Sequence, residues 1–238
     1  MYFLFLFCSL KGNLNLISFY SLSLQDSMSS LMVHISTFHD HVMMVMLMVI
    51  SCVFYVFMMI VAFPCYGRFM KSSEMLEGIW TILPCLILAS LAAPSLTTLY
   101  ISDEISNPVS SIKIIGHQWF WSYEYDDGSL SYDSYMIPSS SLNIGENRLL
   151  EVDKSMFVPM GSEVRMIVSS EDVIHSWSVP SVGVKMDAIP GRLNQFYMKP
   201  FRFGIMYGQC SEICGSLHSF MPIKVEIIKF DHFLELVQ

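Results

Sequence analysis

The sequence predicts a membrane-anchored all-β protein: a two-helix transmembrane hairpin followed by a β-barrel or sandwich domain. Three observations lead there. Two long stretches, Val42 to Phe63 and Gly78 to Ile101, carry no charge at all. Beyond Asp103 the chain turns polar and is broken by Gly, Pro and Ser into short β-branched and aromatic runs. The whole, at 53% apolar and 14% charged residues, is too apolar for an ordinary soluble domain and too charged for a polytopic membrane protein.

The chain opens on "MYFLFLFCSL", which is apolar but too short to span a bilayer and lacks the basic start of a signal peptide. Residues 1–24 are set apart as an extension of unassigned fate. Residues 25–102 form the hairpin, with spans at about 42–63 and 78–101. Both runs exceed the roughly 20 residues that cross a bilayer as a helix. Pro84 and Pro94 fall in the second, where membrane helices tolerate them once neighbours satisfy the freed carbonyls. The connection between the spans carries Arg68 and Lys71, whereas Gly12 to His41 has neither Lys nor Arg. The positive-inside bias therefore puts both termini, and the large domain, on the side opposite that connection. The methionines Met43, Met44, Met46 and Met48 read as flexible apolar filler.

Residues 103–238 form the outer domain. It carries 17 acidic and 10 basic residues, a net charge of −7, which argues against nucleic acid and for a basic protein or bound cations. "SIKIIGHQWFWSYEY", "EVRMIVSS", "VIHSWSV", "NQFYMKP", "RFGIMYG" and "PIKVEII" read as strands, separated by turns such as Asp127-Gly128 and Ile189-Pro190-Gly191. Short strands without a long amphipathic helix predict a β-sandwich or small barrel. Alternation places Trp119 and Trp121 on one face and Phe120 on the other.

The chemistry concentrates in "YGQCSEICGSLHSFMP". Cys210 and Cys214 are four apart, His218 four further, Met221 three beyond. In a compact loop these side chains converge. Of the domain's other histidines, His175 in "EDVIHSWSV" is the best placed to join them, ahead of His117 and His232. Cys8, Cys52, Cys65 and Cys85 lie in apolar surroundings and read as small hydrophobes. A Cys210–Cys214 disulfide leaves His218 and Met221 unexplained, and a zinc site ignores the methionine. A blue-copper site has one thiolate too few for this loop. Two thiolates can instead bridge two coppers, with one imidazole on each metal and weak axial ligands. This points to an electron-transfer centre.

With these residues the sequence resembles cytochrome c oxidase subunit II. The resemblance runs from about Gln25 to Phe233 and rests on "CSEICGSLHSFMP", "GHQWFWSYEY", "DSYMIP", "RLLEVD", "SSEDVIHSW", "DAIPGRLNQ" and, in the second span, "EGIWTILP". It implies a cupredoxin-like β-barrel behind the hairpin and a dinuclear copper centre (CuA). Cys210 and Cys214 match the bridging thiolates, His175 and His218 the terminal imidazoles, Met221 one axial ligand and the Glu212 carbonyl the other. The Glu212 carboxylate matches a ligand to magnesium at the interface with subunit I.

Trp119 matches the residue where electrons arrive from cytochrome c. Glu124, Asp127, Asp153, Glu171 and Asp172 fall near positions where the family docks that basic partner. The loop "EYDDGSLSYD" is shorter than the family's and has lost some acidity. Glu77 matches a residue at the mouth of a proton path into subunit I. The resemblance further implies assembly with subunits I and III and further subunits. It also implies the inner mitochondrial membrane, with the barrel in the intermembrane space. Quinol oxidase subunits of similar fold lack the copper ligands, nitrous oxide reductase-type CuA domains lack the hairpin, and a copper chaperone or purely structural subunit needs no such set.

Overall fold

The computed structural model describes residues 23–63, 72–104, 107–125, 128 and 130–237. The loop charges Arg68 and Lys71, Cys65, Asp127 and residues 1–22 lie outside the described residues. The chain divides into two units. One is His34–Ser102; the other is Asp103–Gln238 together with the chain up to Val33, which includes the first turn of the first helix.

The helical unit contains most of α1 (Ser30–Ala62) and α2 (Glu74–Ser102), both long and apolar enough to cross a membrane. Helix α1 starts well ahead of the uncharged run that begins at Val42. The reason is local: Ser29 Oγ accepts the Met32 N–H at 3.1 Å as an N-cap, and no Gly or Pro follows before the apolar stretch. Helix α2 continues through Pro84 and Pro94. Thr81, Thr97 and Thr98 each turn a hydroxyl back onto the carbonyl four residues earlier, so these polar groups are satisfied within the helix. The side chains of both helices are exposed along the apolar runs, as expected of surfaces meant for lipid or other subunits.

The segment before α1 belongs to the outer domain. Met28, only 2% exposed, donates its N–H to Ser181 and accepts from Phe201, and Ser29 Oγ donates to the Val182 carbonyl at 2.6 Å.

The outer domain is a sandwich of two mixed sheets. Strands β1 (Ser110–His117), β2 (Phe120–Tyr125), β3 (Leu130–Ser134), β5 (Val164–Ser170) and β8 (Asn194–Met198) form one, in the order β3-β2-β1-β5-β8. Strands β4 (Met156–Pro159), β6 (His175–Val179), β7 (Val184–Ala188), β9 (Gly204–Cys210) and β10 (Pro222–Ile228) form the other, ordered β4-β10-β9-β6-β7. Strand β1 runs parallel to β5 and β4 parallel to β10; the remaining pairs are antiparallel. Inward positions alternate as the pleat requires: Val164, Met166 and Val168 of β5 are fully buried, with Arg165 and Ile167 facing outward. Strand β6 is buried at every position because β9 and β7 flank it. A short helix α3 (Phe230–Val237) packs Phe233 into the core.

One expectation is corrected. Trp119 is not on a strand: His117 pairs with Phe120, so Gln118 and Trp119 form a two-residue hairpin turn between β1 and β2. Trp121 alone of the three aromatics is fully buried, while Phe120 stacks outside between His117 and Tyr135.

The loop ahead of β4 is held to the second sheet by a buried ion pair. Glu151, 5% exposed, accepts from Lys224 Nζ at 2.8 Å, Tyr207 OH at 2.6 Å and the Asn147 N–H at 3.3 Å. Burial pushes this carboxyl up, but the three donors outweigh it and hold it below the ordinary glutamate value. A depressed carboxyl stabilises the fold above its unfolded pKa, and that contribution is lost as pH falls through the lower folded value. Thermal melts of the full chain in detergent should therefore show stability declining as pH drops below about 4.3, with Glu151→Gln flattening that limb. Lys224→Met, which strands a buried charge, should cost about 3–5 kcal/mol at neutral pH.

Candidate metal centre

The soft donors come from one end of three adjacent strands. His175 opens β6, Cys210 closes β9, and Met221 immediately precedes β10. Register brings them together: Trp177 pairs with Cys210 across β6 and β9, Pro222 pairs with Gln209 across β9 and β10, and the Ser211 N–H reaches the Ser176 carbonyl at 2.9 Å. The β9–β10 connection supplies Cys214 and, on a single 3-10 turn over His218–Phe220, His218.

Among the described residues, His175, Cys210 and Cys214 form a buried group whose ligand atoms all lie within 4.8 Å of one another. The two sulfurs are 4.0 Å apart and both thiols are free. His175 Nδ1 is 3.9 Å from Cys210 Sγ, and His218 Nδ1 is 3.5 Å from Cys214 Sγ. Met221 Sδ lies 3.5 Å from Cys214 Sγ, and the Glu212 carbonyl 3.3 Å from Cys210 Sγ. These contacts link all six residues that the sequence singles out.

Electrostatics suits a cation there. Burial pushes both thiols up. At Cys210, the contacts with His175 and with the backbone at Ser176 and Glu212 outweigh burial and bring it down to about 7. Cys214 is pushed up to about 12 by burial and by the charge on Cys210 beside it. The pair therefore ionises in steps, and full deprotonation calls for positive charge next to both sulfurs. Burial also opposes protonation of His175, but Cys210 and Asp172 outweigh it and hold the imidazole above its usual value.

A layer of contacts positions these donors. Asp172 Oδ1 lies 2.8 Å from His175 Nε2. The Trp121 ring meets the His175 ring edge-on at 5.9 Å, and its indole N–H donates to the Met221 carbonyl at 3.3 Å. Gln118 Nε2 donates to the Cys214 carbonyl at 2.8 Å. Gly116 lies so close beneath His175 that a Cβ there would meet the ring carbon Cδ2 at 2.9 Å. Sequence reasoning missed Gly116, Gln118 and Trp121, and placed Asp172 on the docking surface. The Asp-x-x-His spacing in "EDVIH", at a turn that opens a strand, was the available signal for a carboxylate–imidazole pair.

Trp119 is partly buried against the core, with its indole edge next to Gly215 of the metal loop. Glu171 lies 3.6 Å from His117, and the Asp153 carboxylate accepts the Tyr135 N–H at 2.7 Å, beside the stacked His117, Phe120 and Tyr135 rings. Glu124 pairs with Lys113 at 2.9 Å, toward the other end of β2 from the Trp119 turn. Glu77 is exposed on the first turn of α2.

The family model of the cytochrome C oxidase subunit II periplasmic domain matches residues 110–228, and that of the subunit II transmembrane domain matches residues 17–98. The chain belongs to the cytochrome c oxidase subunit II family. It is similar to the crystallised periplasmic domain of cytochrome oxidase subunit II of Bradyrhizobium japonicum, at 41% identity over 56% of this chain and 94% of that one, with a TM-score of 0.51. Subunit II in a mixed disulfide with a thioredoxin-like protein matches at 41% identity, 56% of this chain and 92% of that one, TM-score 0.48. A heme-copper terminal oxidase dimer matches at 18% identity over 66% of this chain and 100% of that one, TM-score 0.43.

A subunit II of this family is the membrane-anchored, electron-accepting subunit of a haem–copper terminal oxidase, and the sandwich here is its cupredoxin-like domain. If Gly116 gives His175 the room it needs, Gly116→Val should lower copper affinity about 10–100-fold. Competition titration against a copper chelator checks this.

Proposed function

We propose that His175, Cys210, Cys214, His218, Met221 and the Glu212 carbonyl hold a dinuclear copper centre (CuA) and that cytochrome c supplies its electrons. The observation that carries this reading is the convergence of two thiols and an imidazole within 4.8 Å, with a second imidazole and a thioether adjoining Cys214. The donor set fits copper better than zinc, which does not take thioether ligands. When bound, the copper pair supplies a one-electron couple whose charge is spread over two metals.

The chain's own residues supply the rest. Cys210, at the end of β9, and Cys214, on the β9–β10 connection, offer two soft sulfurs in a buried site. Trp119 offers an aromatic path from the surface turn to the metal loop at Gly215. Glu171 and Asp153 flank that turn with negative charge, and Glu124 on β2 extends the acidic set; Asp127 joins it on the sequence resemblance alone. The net acidity of the domain steers a basic partner over long range. The exposed Glu212 carboxylate points to magnesium shared with subunit I, and Glu77 to a proton path into that subunit. Subunits I and III and further subunits complete the assembly. The basic connection between the spans supports a sandwich on the outer side of the membrane; the inner mitochondrial membrane, with the sandwich in the intermembrane space, is assigned on the family resemblance.

Two experiments test this reading. The chain isolated from its native membrane should carry two coppers and show a delocalised mixed-valence signal in paramagnetic resonance. Cys210→Ser or Cys214→Ser should abolish that signal, because a hydroxyl is a hard and poorly acidic replacement. Met221→Leu should keep copper and shift its potential. Zinc alone, or a single blue copper, would sink the dinuclear reading.

The second concerns Trp119. Trp119→Leu should leave the copper signal and the salt dependence of cytochrome c association intact while slowing reduction at saturating cytochrome c. Stopped-flow reduction over a salt series reads both, and an unchanged limiting rate would reduce Trp119 to packing.

A further inference from the structure

Asp172 and Glu171 are adjacent acids, but the structure employs them differently. Glu171 is 69% exposed at its side chain and lies 3.6 Å from His117. Asp172 is 32% exposed and uses both oxygens: Oδ1 lies 2.8 Å from His175 Nε2 and 2.6 Å from the Val173 N–H, and Oδ2 accepts the Gln118 N–H at 2.6 Å. Gln118 in turn holds the Cys214 carbonyl and precedes Trp119. One carboxylate therefore spans an imidazole of the metal centre and the turn that presents the surface tryptophan.

We propose that Asp172 is a positioning residue for electron uptake, fixing the tautomer of His175 and the Gln118–Trp119 turn together. The inference rests on the copper reading of His175. An ionised carboxylate can only accept hydrogen bonds, so the imidazole nitrogen facing it must carry the proton. His175 is fully buried, and Nε2–H paired to Asp172 leaves the Nδ1 lone pair directed toward Cys210 Sγ. A carboxylate hydrogen-bonded to a ligand histidine sets ring orientation and raises ligand basicity. The same group also clamps the backbone of the turn. Loss of Asp172 should consequently loosen two things that loss of Glu171 leaves alone.

The test compares Glu171→Gln, Asp172→Ala and Asp172→Asn. Nitrogen-15 resonances of His175 in the metal-free full chain in detergent read the tautomer without copper. In the assembled oxidase, paramagnetic resonance, copper affinity and reduction by cytochrome c over a salt series read the rest. Glu171→Gln should flatten the salt dependence and leave the tautomer and copper signal as in the wild type. Asp172→Ala should lose the fixed tautomer, weaken copper retention about 10–100-fold and slow reduction at saturating cytochrome c. Should that variant fail to assemble, Asp172→Asn decides. Its amide has one acceptor oxygen for the two N–H groups of His175 and Gln118, so either the tautomer or the limiting reduction rate must change. If both Asp172 variants match Glu171→Gln, with tautomer, copper signal and limiting rate unchanged, Asp172 is only a surface acid and the proposal is overturned. A wild-type chain without copper would refute the copper reading, while the tautomer comparison would still test Asp172.

Discussion

Trp177 pairs with Cys210 across the β6–β9 ladder, and the metal centre depends on that pairing. A slip of one residue would turn Cys210 to the opposite face of the sheet and carry it away from His175. The register is held by burial. Strand β6 is enclosed along its whole length, and Trp177, Val179 and Met206 would all leave the core if it shifted. The same apolar packing that stabilises the sandwich therefore fixes the donor geometry. Met221 is placed by the neighbouring ladder, because Pro222 faces Gln209 and so brings Met221 alongside Cys210.

Much of this was legible in the sequence, for identifiable reasons. Uncharged runs announce spans by absence of charge, which needs no knowledge of packing. Cys210, Cys214, His218 and Met221 are close in sequence, so one loop suffices to gather them. His175 is remote, and its candidacy rested on a polar turn ahead of a strand, which the structure contains. Strands β3 and β7 were missed because outward polar positions dilute a five-residue pattern, and β4 because four residues, the last a proline, are too few to show one. Trp119 misled for a different reason. Alternation runs unbroken through "HQWFW", but a two-residue turn also preserves hydrophobic character, and periodicity cannot tell a continuous strand from a tight hairpin.

Charge is where composition and structure diverge. The outer domain has a net charge of −7, yet several of its acids are already engaged. Glu124 is paired with Lys113, Glu151 with Lys224, and Asp172 with two N–H groups around the metal centre. Steering of a charged partner depends on the summed field, to which engaged acids still contribute through the domain's net charge. Close contact depends on local groups, and those next to the Trp119 turn are Glu171 and Asp153. At physiological salt the Debye length is about 8 Å, so such rim charges act mainly during encounter and little thereafter.

The metal loop is long for a strand connection, and an unsupported loop would let its ligands drift. It is restrained from the other sheet. Trp121 holds the Met221 carbonyl and braces His175, Gln118 holds the Cys214 carbonyl, and the Trp119 ring fills the space beside Gly215, where a Cβ would come within 3.1 Å of it. All three restraints come from one β1–β2 hairpin. Its buried strand braces the ligands while its turn reaches the surface. A partner touching Trp119 is therefore one residue and one hydrogen bond from the backbone of a ligand cysteine. Rigid support and electronic access thus meet in one hairpin but fall to different residues: Trp121 and Gln118 hold the ligand backbone, while Trp119 carries access to the surface.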